Sequence, residues 1–215
     1  MRNLVLYAPP AAGKGTLCEQ LEKDYGYSII SIGQVLRNNR NPETEVGRAI
    51  IETQDKGILT PDDIVAKALD IELKKYEGQP IVLEGYPRRI DQAKLLDTML
   101  DNYSVIVLEI DREIAMKRAL GRVTCSNCQK LYNIYDEVMM PKVEGICDEC
   151  GAKLDVRSDD NEASFNQRFD IFEENAPEII DFYKEKNLLH IIDGGKGKDF
   201  TYSEVKKILD GSKND

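Results

Sequence analysis

At 215 residues the chain is long enough for one full hydrophobic core, or for one core carrying smaller inserted units. Charged residues make up 32% and hydrophobic ones 41%, an ordinary globular composition that argues against disorder, and no apolar run approaches the length of a membrane span. The formal net charge of -10 argues against nonspecific binding to nucleic acid, whose phosphates would be repelled, but leaves room for a local basic pocket built by a few arginines.

Met1 leads almost directly into the strand-like Asn3-Leu-Val-Leu-Tyr7, which leaves no room for a signal peptide and points to the cytoplasm. Short apolar runs recur at Leu4–Leu6, Ile29–Ile30, Ile81–Leu83, Val105–Ile110 and Leu188–Ile192. Without polar alternation, they suit parallel strands covered on both faces. Between them lie amphipathic stretches. Leu17, Leu21 and Tyr25 share one face of a helix starting near Gly15. Thr60-Pro61-Asp62-Asp63 reads as a helix entry, with a hydroxyl cap, proline first and acids in the first turn. Asp111 can cap a helix through Leu120, a long helix runs from about Asn161 to Lys186, and a final one begins near Tyr202. This alternation predicts a doubly wound, five-stranded parallel α/β sheet with right-handed crossovers. The segment from Thr124 to Val156 breaks the pattern and reads as a small inserted unit.

Four sets of residues carry chemistry. Ala8-Pro-Pro-Ala-Ala-Gly-Lys-Gly-Thr16 stands between a strand and a helix, where backbone N–H groups and Lys14 can hold an anion. It departs from the strict phosphate-loop spacing: Ala8 replaces the first glycine, and Gly15 separates Lys14 from Thr16. Leu83-Glu-Gly-Tyr-Pro-Arg88, followed by Gln92-Ala93, puts an acid at the carboxyl end of a buried strand, where open α/β sheets place ligand contacts. Arg37, Arg88, Arg118, Arg122, Arg157 and Arg168 fall at element ends, positioned to converge on phosphates. Finally, Cys125-x-x-Cys128 and Cys147-x-x-Cys150 form two knuckles that fit a structural tetrahedral Zn²⁺ site. With four thiolates filling its shell, such a metal would staple the insert rather than catalyse. Asp136, Glu137, Glu144, Asp148 and Glu149 make the insert acidic, against a nucleic-acid-binding ribbon. Cys18 and His190 read as packing residues.

Taken together, the chain resembles a long-form adenylate kinase with a zinc-binding lid, within the nucleoside monophosphate kinases. The resemblance rests on Gly13-Lys14-Gly15-Thr16, Gly33 with Leu36-Arg37, Gly85-Tyr-Pro-Arg88, Gln92-Ala93, Gly121-Arg122, Pro141-Lys-Val-Glu-Gly145, Arg157-Ser-Asp-Asp160, Arg168, Ala176-Pro177 and Asp193-Gly194. It implies reversible phosphoryl transfer from ATP to AMP, giving two ADP, by a cytoplasmic monomer that uses Mg²⁺ with ATP and structural zinc. Ala11, Ala12, Gly13, Lys14, Gly15, Thr16, Arg118, Arg122, Tyr132 and Lys196 would surround ATP, although Tyr132 and Tyr135 by themselves read as packing around the metal unit. Ile32, Arg37, Gly57, Leu59, Thr60, Gly85, Arg88, Gln92, Arg157 and Arg168 would surround AMP, with Gln92 reading the base. Lys14, Arg88, Arg122, Arg157 and Arg168 would be catalytic, and Thr16 and Glu84 would organise Mg²⁺. Residues 1–30, 61–121 and 160–215 would form the core, 31–60 the monophosphate-binding unit and 122–159 the lid.

Several positions depart from the family. Ala8 and Ala11 replace glycines, so a Cβ at a position of positive φ would strain or narrow the loop. Gln34 and Glu84 replace aspartates near the metal, Ile32 a threonine and Asn133 a histidine. Two readings follow: an active kinase with lowered Mg²⁺ affinity, or a weakly active paralogue that senses or sequesters nucleotide.

Overall fold

The structure, a computed structural model, describes residues 1–55, 60–156 and 160–211. In chain order the elements are β1 (Asn3–Tyr7), α1 (Lys14–Tyr25), β2 (Ser28–Ser31), α2 (Ile32–Asn38), α3 (Glu45–Asp55), α4 (Asp62–Lys75), β3 (Ile81–Glu84), α5 (Ile90–Met99) and β4 (Tyr103–Glu109). They continue with α6 (Arg112–Leu120), β5 (Arg122–Cys125), β6 (Leu131–Asn133), β7 (Leu154–Asp155), α7 (Glu162–Glu185), β8 (Leu189–Asp193), a 3-10 turn (Gly194–Lys196) and α8 (Lys198–Gly211).

Five of the strands form a parallel sheet in the order β2-β3-β1-β4-β8. The unalternating apolar runs have a direct cause. Val5, Leu83, Val105 and Val107 face one buried cluster, while Leu4, Leu6, Val82, Ile106 and Leu108 face another on the opposite side. A strand with core on both faces has little room for a polar residue along its middle. The carboxyl ends bring polar groups to one rim, where Glu84 pairs in register with Leu6 on one side and Ser31 on the other. Chain order reverses around β1, so the loop after β1 opens into the crevice where such sheets bind ligands.

Two helix entries differ from the sequence expectation. Thr60 does not cap α4, which begins at Asp62 with Pro61 flanking it and no side-chain cap. Thr53 Oγ1 already donates to Ala49 O, so the Thr60 hydroxyl donates to Thr53 Oγ1 at 3.2 Å and is spent there. The last helix begins at Lys198 rather than near Tyr202, directly after Gly197. Asp111 caps α6 as expected, accepting from the amides of Glu113 and Ile114, and Asn161 caps α7 through Ser164 N. The inserted unit is a three-stranded antiparallel sheet ordered β6-β5-β7. Among the described residues no helix is long and apolar enough to cross a membrane.

Candidate active site and metal centre

The segment between β1 and α1 is built to receive an anion. Gly13 flanks α1 at φ 99, no side chain caps the helix, and no acid stands in its first turn. The amides of that turn are therefore left for a ligand, and the helix dipole favours a negative one. Lys14 Nζ donates to the carbonyls of Ala8 (3.0 Å) and Pro9 (2.8 Å), so the lysine ties down its own loop. Desolvation lowers the Lys14 pKa to about 8; Glu84 opposes the shift, while Arg88 and Arg122 add to it. A phosphate at this place would relieve that frustration.

The expected backbone strain is present at one alanine. Ala11 has φ 59, whereas Ala8 is not among the residues of positive φ. A Cβ in the left-handed region costs about 1–2 kcal/mol. Packing of Ala11 against the cluster of Ala115, Ala119, Phe165 and Phe169 offsets part of that cost.

The loop opens on a cleft of about 460 Å³, whose walls include Lys14, Thr16, Arg37, Glu84, Arg118 and Arg122. Glu84 and Thr16 present hard oxygen donors of the kind magnesium takes. Cys18, behind them, is buried in the core cluster with Sγ 4.0 Å from Glu84 Oε2.

The arginines are held by groups of the chain. Arg122 makes a forked ion pair with Asp160, with Nε to Oδ2 at 2.7 Å and the second nitrogen on Oδ1. Arg168 stands 3.8 Å from the same carboxylate, whose side chain is fully buried. Arg88 Nε donates to Gly85 O, and its pKa is lowered by desolvation and then by the like charge of Arg168, with Glu84 opposing. Arg37 is steadied by Gln34, whose Oε1 accepts from Arg37 Nε (3.2 Å) and Nη2 (2.8 Å). An amide there holds the guanidinium without neutralising it, leaving the full charge for a phosphate. Asp160→Asn should therefore cost about 3 kcal/mol in urea unfolding, because Arg122 would lose its buried partner. It should also lower kcat by about 10- to 100-fold through misalignment of Arg122 and Arg168.

On the acceptor side, Ile32 opens α2 and is buried. A Cβ at Gly85 would be strained by its φ of 82 and would crowd Ile32 Cγ2 at 3.0 Å. The isoleucine therefore walls the turn that carries Arg88. Gln92 is also buried, with Oε1 accepting from Arg88 N and Nε2 donating to Asp62 Oδ1, both at 2.7 Å. Gly57, Leu59 and Arg157 lie outside the described residues.

On the donor side, Arg118 donates to Gly194 O (2.9 Å) and Gly195 O (3.4 Å), fixed across the sheet rim. Asn133 links this arginine to the inserted unit, with Nδ2 donating to Arg118 O and Oδ1 accepting from Tyr135 N. Tyr132 and Asn133 line the cleft together with Asp136. Lys196 directs Nζ toward Asp193 Oδ2 (3.7 Å) and over the Phe200 ring.

The four paired cysteines meet, with all Sγ atoms within 4.8 Å of one another. The Cys125–Cys150 and Cys128–Cys147 sulfurs are 3.5 Å apart. A tetrahedral site with Zn–S near 2.3 Å separates its sulfurs by about 3.8 Å, so the set fits zinc. The amides of Asn127 and Cys128 point at Cys125 Sγ, as a thiolate requires. Tyr132 accepts from Asp148 N, which turns its own proton toward Cys147 Sγ at 3.4 Å. Tyr132 thus buttresses the knuckle as well as lining the cleft.

Two carboxylates were missed as site groups from sequence, Asp160 and Asp62. The first stood only inside a motif string and the second only as a first-turn acid, because their partners lie 38 and 30 residues away.

The chain is similar to known proteins over nearly its whole length. The model of the family described as "Adenylate kinase" matches residues 6–188. The adenylate kinase of Caldanaerobacter subterraneus subsp. tengcongensis is 36% identical over 219 residues, covering 99% of this chain and 98% of its own. That of Methanosarcina barkeri is 36% identical, covering 96% and 98%, and that of Archaeoglobus fulgidus 34% identical, covering 99% and 100%.

Proposed function

The chain belongs to the adenylate kinase family, and from that membership we propose how its residues divide the work. It is a nucleoside monophosphate kinase that transfers the terminal phosphoryl group of ATP to AMP, giving two ADP. The observation that carries the assignment is the cleft at the β1 crevice, with Lys14 and the uncapped α1 on one wall and Arg37, Arg118 and Arg122 on others.

Lys14 and the amides of Gly13, Gly15 and Thr16 hold the donor phosphates, with Ala11 and Ala12 closing the loop around them. Arg118 lies against the donor base, between Asn133 and the Gly194 carbonyl. Arg37 and Arg88 hold the acceptor phosphate, while Ile32, Thr60, Gly85 and Gln92 line the acceptor pocket. An acceptor phosphate oxygen attacks the terminal phosphorus in line, the bond to the bridging oxygen breaks, and ADP leaves. Arg122, Arg157 and Arg168 neutralise the migrating group. The protein does little covalent work, so rate comes from alignment and charge. Magnesium would be held by Thr16 and Glu84 and would supply further neutralisation of the phosphates. Zinc would be held by Cys125, Cys128, Cys147 and Cys150, where it leaves no open position and acts structurally.

Residues 31–60 and 122–159 act as two movable units on a core of 1–30, 61–121 and 160–215, closing over substrate to exclude water. The protein works as a cytoplasmic monomer, where its thiols stay reduced. A coupled assay of ADP formation with AMP, GMP, CMP and UMP as acceptors tests the reading, with AMP the best substrate expected. Nucleotide binding without turnover on any of the four would overturn it. In the same assay the Mg²⁺ optimum should lie higher than that of the Gln34→Asp, Glu84→Asp double variant, since the native pair carries one carboxylate instead of two.

A further inference from the structure

The Gln92 amide has two donors and, at its oxygen, two lone pairs. The chain occupies one of each: the Arg88 amide donates to Oε1, and Nε2 donates to Asp62 Oδ1. These partners also settle which end is which. An N–H donor cannot face Nε2, and a carboxylate cannot face Oε1. Asp62 is itself held, since it opens α4, where the helix dipole favours a carboxylate, and Arg89 donates to the same Oδ1. Among the described residues, Gln92 is therefore a buried amide left with one N–H and one lone pair in a fixed order.

We propose that Asp62 is a specificity-determining positioning residue, which, with the Arg88 amide, locks the Gln92 amide in the orientation that accepts adenine and refuses guanine. This rests on the reading of Gln92 as the group that faces the acceptor base. Adenine sets a 6-amino donor beside a ring-nitrogen acceptor, which matches the free lone pair and N–H of the locked amide. Guanine carries O6 where adenine carries the amine, so its acceptor meets an acceptor. Flipping Gln92 to suit guanine would turn Nε2 onto the Arg88 N–H and Oε1 onto the Asp62 carboxylate. A buried polar group forced into mismatch is what gives large discrimination. Asp62 need not touch the nucleotide to exert this effect.

The test is Asp62→Asn. The asparagine amide can accept from Gln92 or, after its own rotation, donate to it, so one of the two locks is removed at nearly constant shape. We expect kcat/KM for GMP to rise by about tenfold, while that for AMP falls about two- to fivefold, mostly through KM. Asp62→Ser, whose hydroxyl can also act either way, carries the same expectation should the asparagine variant fold poorly. A purely structural role would lower both acceptors together, and that result, or an unchanged AMP-to-GMP ratio, overturns the proposal. Gln92→Leu separates this failure from failure of the underlying reading. If it collapses the ratio while Asp62→Asn leaves it unchanged, only the Asp62 lock is wrong. If Gln92→Leu leaves the ratio unchanged, Gln92 does not read the base at all.

Discussion

Replacing Lys14 by methionine is expected to lower kcat/KM by about 10³-fold, the scale found when a charge-stabilising donor is removed from a phosphoryl or acyl transfer site. The reason is double. The ammonium is the charge that the uncapped α1 terminus offers to a phosphate, and it also ties the loop through Ala8 O and Pro9 O. Lys14→Arg keeps the charge but replaces a compact ammonium by a planar fork, so it should recover only a small part of the loss. The variant also separates binding from titration. With the Lys14 pKa at about 8, set by desolvation and by Arg88 and Arg122 against Glu84, the free enzyme loses this proton above pH 8. ATP affinity should then fall by up to about tenfold per pH unit, and binding at pH 9 should take up a proton. Calorimetry in buffers of different ionisation enthalpy reads that uptake, which should vanish in Lys14→Met. The unliganded protein behaves in the opposite sense. Between about 8 and 10.5 the unfolded chain holds the proton that the folded one has lost, so this group's contribution to stability rises with pH there.

Removal of the cysteine-bound metal should have the next largest effect. The buried core of the inserted unit is Val123, Cys125, Tyr132, Cys147 and Leu154. Two of these five are the proposed ligands, and three apolar side chains cannot fold a unit of this size without a staple. Metal binding free energy is folding free energy in such a case. Treatment with a chelator, or Cys147→Ser, should lower bound zinc from about one per chain toward zero. It should also expose residues 122–156 to protease and reduce kcat/KM by about 10²-fold, because Tyr132, Asn133 and Asp136 leave the cleft wall. Added zinc should restore activity to the chelated wild type but not to the serine variant. Full activity in a zinc-free, protease-sensitive protein would overturn the assignment.

Local sequence carries some of this structure plainly. Strand positions follow from two-sided burial, as Val82 and Leu83 illustrate by facing opposite clusters. The knuckle spacing places four sulfurs together because two tight turns leave them few alternatives. Helix starts are less legible. Thr60 looks like a cap, yet its hydroxyl is claimed by Thr53, seven residues earlier in the chain. Lys198 begins a helix with no capping residue before it, only a glycine. The arginines are visible as residues, but the carboxylates that aim them are not. Asp160 and Asp62 gain their roles from distant partners, and nothing in a neighbouring window encodes that distance. The substitution at position 34 is similarly silent in sequence, where it reads as a lost charge, while the fold shows an amide steadying Arg37.

The three-stranded unit leaves the core after α6, which ends at Leu120, and the chain is back by Asn161, the cap of α7. Its ties to the ends of those two helices include the Ile134 amide on Gly121 O, the Asn133 side-chain amide on Arg118 O and the Arg122–Asp160 fork. None of its own strands enters the five-stranded sheet. The unit is therefore an exchangeable cartridge: a different cover, metal-bearing or not, could be seated between the same two sockets without rethreading the scaffold. Thermal tolerance of the cover and of the scaffold can accordingly drift apart under selection, and an engineer could raise one while leaving the other untouched.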